Sequence, residues 1–417
     1  MSHGGFSAFA AKAGRNLAFK TVTEIAGRLL AFLFYMAMAR WLGAEQFGLF
    51  SLVNSVGAIA VFLVDPGLNI TLIRSVPRAP GLLESTAARI LTLKLALSAL
   101  TVTVCVVYGA LSGYGIYMLG LFGLMGAQMA GFAMMEFAGA VFQAREEMWA
   151  ETYLLSVGRT AVVILAIAAL ALGAGVGMTL LVMTVTQGVA VVWAFAWTVK
   201  RGVPLTGGWD VISWGQLLRD SVPLGAASFF TVLFYRVDVA MAPFLGVTLA
   251  DLGFYSAGVK ILDVWLAAPS LFYSALFPTI SALAGSDRRG FVKWADRSLA
   301  IVATLGIVGA VVGILFSREI ITVIFTHSFA QADQPLKLLF IASAVMFVRH
   351  GLMMTLLLDN RSRQAVSLAA ATVAINVAFN FALTPQFGVM GMAGAKLVSD
   401  IALVGMAGYI WLSSRRV

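Results

Sequence analysis

Apolar segments of about twenty residues, closed by turns or charge clusters, recur twelve times along this 417-residue chain. They fall near 17–39, 47–66, 86–108, 114–137, 152–173, 176–199, 222–244, 252–275, 298–316, 335–358, 364–383 and 389–412. About twenty such residues make a helix long enough to cross the hydrocarbon core of a bilayer. The predicted fold is therefore an all-α polytopic membrane protein of about twelve transmembrane helices. Charged residues make up 11% of the chain, where a soluble domain carries about a quarter. The single cysteine, Cys105, sits in an apolar run and reads as a small buried hydrophobe, with no internal disulfide open to it. Residues 1–16 carry Lys12 and Arg15 but no short apolar core with a small-residue cleavage site, and read as a retained cytoplasmic leader.

The loops set the orientation, because Lys and Arg concentrate in short cytoplasmic connections. One set of loops holds Lys12, Arg15, Arg74, Arg78, Arg145, Lys200, Arg201, Arg219, Arg288, Arg289, Lys293, Arg297, Arg361, Arg363, Arg415 and Arg416, sixteen in all. The alternate set holds only Arg40 and Arg318. Sixteen against two predicts that both termini are cytoplasmic. The net charge of +9 thus follows membrane orientation and does not imply a nucleic-acid partner.

An internal echo suggests two halves. Leu42-Gly43 and then Glu45-Gln46-Phe47-Gly48-Leu49-Phe50-Ser51 follow the first span; Leu245-Gly246 and then Asp251-Leu252-Gly253-Phe254-Tyr255-Ser256 follow the seventh. Six spans separate the copies, an even number, so the repeats would be parallel and related by an axis along the membrane normal. The expected organisation is a leader (1–16), an N-terminal six-helix bundle (17–199), a basic cytoplasmic linker (200–221), a C-terminal six-helix bundle (222–412) and a tail (413–417).

Ten cations lie within the apolar segments: Lys20, Arg28, Arg89, Lys94, Arg159, Arg236, Lys260, Lys337, Arg349 and Lys396. Each costs about 2.5–3.5 kcal/mol at a bilayer centre, so a protein that keeps them is expected to hold something anionic. Six deep acids, Glu24, Asp65, Glu136, Asp238, Asp263 and Asp400, leave an interior excess of +4. Arg89, Arg159 and Lys337 lie close enough to span ends to reach the interface. Lys20, Glu24 and Arg28 form one stripe at i, i+4 and i+8, either a self-satisfied ladder or part of a cavity. Arg236 and Asp238, two apart on a helix, point to nearly opposite sides and cannot simply neutralise each other. Lys260 with Asp263 and Lys396 with Asp400 have spacings that permit local ion pairs. Arg349 has no acid within reach on its own helix. Asn376 and Asn380 continue from Thr372 as a polar stripe, suited to interhelical hydrogen bonds or to sugar hydroxyls.

Several chemistries find no support. There is no G-x-x-x-x-G-K-[ST] loop for ATP, the histidines His3, His327 and His350 match no metal spacing, and no G-x-S-x-G elbow with plausible partners occurs. No enzyme is expected.

The run Ala39-Arg40-Trp41-Leu42-Gly43-Ala44-Glu45-Gln46-Phe47-Gly48-Leu49-Phe50, after a span bearing Lys20 and Arg28, resembles the opening of polysaccharide-unit flippases of the Wzx type. Tyr235-Arg236-Val237-Asp238, Gly253-Phe254-Tyr255-Ser256-Ala257 with Lys260, Phe277-Pro278, and Pro385-Gln386-Phe387-Gly388-Val389-Met390-Gly391 extend the likeness over nearly the whole chain. The resemblance implies membership of the multidrug/oligosaccharidyl-lipid/polysaccharide exporter superfamily, with two six-helix bundles forming a V around a central cavity. It implies a flippase that carries isoprenoid-pyrophosphate-linked oligosaccharide repeat units from the inner to the outer leaflet of a bacterial plasma membrane by ion-coupled alternating access. It further implies partners in the lipid bilayer and in the polysaccharide polymerase and export machinery. Twelve spans, two fewer than lipid II flippases have, argue against that substrate.

On this reading Lys20, Arg28, Arg236, Lys260, Arg349 and Lys396 would form a cationic cavity, with Asn376 and Asn380 among its polar lining. Glu24, Asp65, Asp238, Asp263 and Asp400 would be candidates for binding a coupling Na+ or H+, with no other cofactor or metal. Two rivals remain: a drug/cation antiporter on the same scaffold, which would want an acidic or aromatic cavity, and a membrane glycosyltransferase or polymerase, which would need a catalytic group on a sizeable outer loop.

Overall fold

In the computed structural model, residues 3–75, 83–203 and 209–414 are described; side chains are described from residue 26 onward, except at 278, 279, 284, 285 and 414. Among the described residues the chain is helical, without a strand. The helices are α1 (His3–Ala60), α2 (Leu68–Ser75), α3 (Leu83–Leu111), α4 (Ile116–Ala144), α5 (Met148–Ala171), α6 (Val176–Lys200), α7 (Val211–Met241), α8 (Leu249–Trp265), α9 (Ala267–Ser286), α10 (Arg288–Leu315), α11 (Ser317–Phe325), α12 (Asp333–Leu358), α13 (Ser362–Phe387) and α14 (Val389–Ser414). An all-helical chain fits a lipid solvent, because a helix satisfies its backbone N–H and C=O groups internally.

Eleven helical stretches among the described residues are long and apolar enough to cross a membrane. The first, Ala26–Leu63, holds two of the expected spans in one stretch. As a straight rod the 58 residues of α1 would run about 87 Å, nearly three hydrocarbon thicknesses. Gly43 (φ 76°, ψ 177°) interrupts it with a conformation that a side chain would strain. The expected span 252–275 is likewise broken: α8 ends at Trp265, and α9 starts at Ala267 and runs on to Ser286. Helix α10 starts ten residues before the apolar segment does, at Arg288, where the Asp287 side chain accepts the Gly290 N–H as an N-cap.

Two compact units divide the chain. The first comprises Met1–Trp41 and Val56–Ala226; the second comprises Leu42–Ser55 and Ala227–Val417. In the first, α4 is central and packs against α2, α3, α5 and α6. Leu68, Leu72, Ile90, Leu93, Phe137 and Val141 form its main buried cluster. In the second, α12 is central and packs against α8, α9, α10 and α14, around Phe291, Leu352, Leu356, Leu403 and Trp411.

The sequence echo has a packing role within the second unit, because its two copies touch through their glycines. A Cβ on Gly48 would lie 1.8 Å from the Leu249 carbonyl oxygen, and one on Gly253 would lie 1.9 Å from that of Ala44. Phe47 fills the space beside this contact, with its ring 6.2 Å from Phe325 and 6.1 Å from Phe329. The capping pair of Thr248 and Asp251 starts α8 at the same place, with the Asp251 N–H donating to the Thr248 hydroxyl and that hydroxyl to the Asp251 carboxylate.

Candidate functional site: charged groups within the second unit

Helix α7 sets Phe234, Tyr235, Arg236 and Asp238 in one turn, and the neighbouring helices bring charges to both sides of it. Toward α14 lies a buried quartet. Asp238 is fully buried and accepts hydrogen bonds from Lys396 Nζ at 2.8 Å, from the Tyr255 hydroxyl and, at its other oxygen, from the Val239 N–H. Arg349 on α12 donates to the Tyr235 hydroxyl at 2.6 Å. Its Nε lies 3.1 Å from Asp400 Oδ1, an ion pair without the alignment of a hydrogen bond. Both cations sit over the same rings: the Arg349 guanidinium 4.7 Å and Lys396 Nζ 5.5 Å from the centre of Phe234.

The local pairing that the spacing of Lys396 and Asp400 permits is thus exchanged for two longer-range pairs, Lys396 with Asp238 and Arg349 with Asp400. Four charges cancel within one buried cluster. Helical distance alone does not reveal Arg349's partner, because the acid that meets it comes from α14.

On the α8 side two cations meet one acid. Lys260 Nζ lies 3.5 Å and Arg236 Nη2 4.0 Å from the same oxygen of Asp263. One carboxylate oxygen thus faces both cations. Asp263 is 36% exposed and Arg236 is half-buried, so the trio is open to its surroundings at these two residues, while Lys260 is buried. Asp238 and Arg236 do point apart along α7 as helical geometry requires, one into the quartet and the other to the trio.

Asn376 and Asn380, expected among the polar lining, are fully buried. The Asn376 amide donates to the Ser399 hydroxyl at 3.3 Å; that of Asn380 donates to the Asn376 carbonyl at 2.9 Å and side-chain oxygen at 3.0 Å, and Thr384 donates to Asn380 at 3.2 Å. Asn376 ties α13 to α14, whereas the bonds of Asn380 stay within α13, and both side chains are buried.

The first unit has its own pairs. Lys94, fully buried, lies 3.4 Å from Asp65 Oδ2 and 5.6 Å from the centre of the Phe137 ring. Asp65 Oδ1 accepts the Gly67 and Asn69 N–H groups at 3.2 and 3.1 Å, which caps the start of α2. Arg159 on α5 pairs with Glu136 on α4. Arg28 is exposed, with no ion pair among the described residues; the side chains of Lys20 and Glu24 lie outside the described residues. Among the described residues no group of three or more metal-ligating side chains comes together. Residues that sequence reasoning did not assign to the site are Phe234, Tyr235 and Tyr255. Their signal was available, since Tyr235 adjoins Arg236 and Tyr255 lies in the echo.

The helix arrangement defines the class: a multi-pass membrane protein with the fold of the multidrug/oligosaccharidyl-lipid/polysaccharide exporter transporters. An inward-facing multidrug resistance MATE family transporter of that superfamily aligns with a TM-score of 0.74 at 12% identity, covering 94% of this chain and 95% of the other. The lipid II flippase MurJ in an inward closed conformation aligns at 0.70 and 13%, covering 94% and 87%. A transporter of the superfamily from Pyrococcus furiosus, described as having a binding pocket of reversed polarity, aligns at 0.63 and 13%, covering 96% of each. At these identities the likeness is one of fold. Residues 13–284 match the polysaccharide biosynthesis protein family, and the chain belongs to that family. No curated protein sequence matches it.

Proposed function

We propose that the protein is a flippase for lipid-linked oligosaccharides, moving isoprenoid-pyrophosphate-linked polysaccharide repeat units from the inner to the outer leaflet of a bacterial plasma membrane by alternating access. The observation that supports the reading is the convergence of two cations from neighbouring helices within a membrane-embedded unit: Arg236 on α7 and Lys260 on α8 both face Asp263, which is 36% exposed. Two cations side by side suit a multiply charged anion such as a pyrophosphate. Arginine suits this task because its planar fork of donors matches phosphate oxygens. Family membership supports the polysaccharide side of the reading. Asp238 and Asp400 are the candidates for taking up a coupling proton or Na+, since their release would free Lys396 and Arg349.

The test is transport in proteoliposomes loaded with a fluorescent isoprenoid-pyrophosphate oligosaccharide. A charge-assisted hydrogen bond contributes about 1.5–3 kcal/mol, so Arg236→Gln or Lys260→Gln should each lower apparent affinity by about 10- to 150-fold, with unchanged membrane levels. Normal transport by the double variant would sink the proposal. Energy-dependent efflux of a cationic dye by the wild type, with no movement of the lipid-linked sugar, would instead support the antiporter.

A further inference from the structure

Helix α10 has two faces that are each continuous along its length. Phe291, Ala295, Ser298, Val302, Gly306, Ala310 and Gly313 are buried and form the packed face. The other face begins with Arg289, Lys293 and Arg297, all exposed and spaced four residues apart. At 100° per residue these three fall within roughly 80° of arc. The same stripe then continues, without leaving that side of the helix, as Ile301, Leu305, Val308 and Val312, which are 52%, 37%, 54% and 48% exposed. Trp294, 40% exposed, lies in the stripe among the cations.

A run of exposed β-branched residues and leucine on a membrane-spanning helix is its lipid face. The basic segment, being collinear with it, meets the bilayer where that face leaves the hydrocarbon. Lengths agree with this placement. The 28 residues of α10 extend about 42 Å against about 30 Å of hydrocarbon. Residues 298–315 span about 27 Å, so the surplus is the segment that carries the cations. Tryptophan is a residue of that headgroup zone. None of the three cations has an ion pair or side-chain hydrogen bond among the described residues. Arg289 lies in the first turn of the helix, where the macrodipole disfavours positive charge and an anion would relieve it.

We propose that Arg289, Lys293 and Arg297 form a docking strip for anionic phospholipid headgroups on the exposed face of α10, built from residues other than the Arg236–Lys260–Asp263 trio. By the loop-charge expectation the leaflet is the cytoplasmic one. The ligand chemistry is a phosphodiester carrying net negative charge, as in phosphatidylglycerol; zwitterionic phosphatidylcholine does not satisfy it.

The test uses the purified full chain in detergent, titrated with phosphatidylglycerol or phosphatidylcholine, with bound lipid counted by native mass spectrometry. Each juxtamembrane cation contributes about 1 kcal/mol toward an anionic surface, or about fivefold in affinity. Lys293→Gln should therefore weaken phosphatidylglycerol binding about fivefold, and R289Q/K293Q/R297Q on the order of a hundredfold, abolishing the preference over phosphatidylcholine. Arg289→Lys with Arg297→Lys should retain it. Since these side chains point away from the packed face, the variants should melt like the wild type in phosphatidylcholine. An unchanged phosphatidylglycerol preference in Lys293→Gln and the triple Gln variant overturns the proposal. So does equal stabilisation of the wild type by inorganic phosphate, which would mark a site for free anions.

Discussion

Removing Lys396 should do far more damage than removing Lys396 and Asp238 together. The pair is sealed from solvent, with side-chain exposures of 1% and 0%. At 2.8 Å and an effective dielectric of about 20, the gross attraction is about 6 kcal/mol. Desolvation takes back several kcal/mol for each ion, so the pair as a whole contributes little relative to apolar residues of the same shape. The single change Lys396→Met, however, leaves Asp238 buried with two neutral donors, Tyr255 and the Val239 N–H, and no countercharge. Loss of one partner from a buried pair costs about 3–5 kcal/mol. For a unit of roughly 200 residues this is a fall in melting temperature of about 6–20 °C. In Lys396→Met/Asp238→Asn most of the loss should return. Fluorescence-detected size exclusion after a heating series in detergent measures all three proteins. A single variant as stable as the wild type, or a double variant worse than either single, would refute the account of the quartet as a neutral, mutually dependent cluster.

Two further changes probe local geometry. Gly253→Val would drive a side chain into the Ala44 carbonyl and should cost about 3 kcal/mol or more, seen as loss of the monodisperse peak; Gly188→Ala, with nothing within 4 Å, should be neutral or slightly stabilising. In the first unit, Asp65→Asn should keep hydrogen-exchange protection at the Gly67 and Asn69 amides while lowering the melting temperature, because the cap survives and the charge on Lys94 loses its counterpart. Asp65→Ala should lose both; equal protection in the two variants would argue against the capping role.

The membrane-spanning helices were legible in the sequence because lipid imposes length and hydropathy on each span independently. Gly43 falls in the turn that the sequence places between the first two spans, whereas the break at Leu266 was harder to see. A kink within an apolar run changes backbone angles without changing composition, and so leaves no hydropathy signal. The charged residues of the interior were likewise visible one by one, and the inability of Arg236 and Asp238 to neutralise each other followed from helical geometry alone. The local pair of Lys260 with Asp263 was legible from its spacing, but the longer-range partners were not. Lys396 and Asp400 stand at an ideal local spacing and yet pair elsewhere, because α7 and α12 present Asp238 and Arg349 at shorter range within a packed core. Asn376 and Asn380 read equally well as a lining or as a brace. The structure joins Asn376 to Ser399 on α14 and keeps the bonds of Asn380 within α13.

Asp65 has two oxygens, and each is engaged by a different part of the first unit: one by the opening amides of a short helix, the other by an ammonium on α3. A single side chain thereby acts as a latch with two bolts. Removing the whole side chain frees a peptide segment and strands a positive charge in the same stroke, whereas an amide in its place gives up the charge alone. Any replacement at this position must therefore be judged both against a backbone turn and against an electrostatic balance.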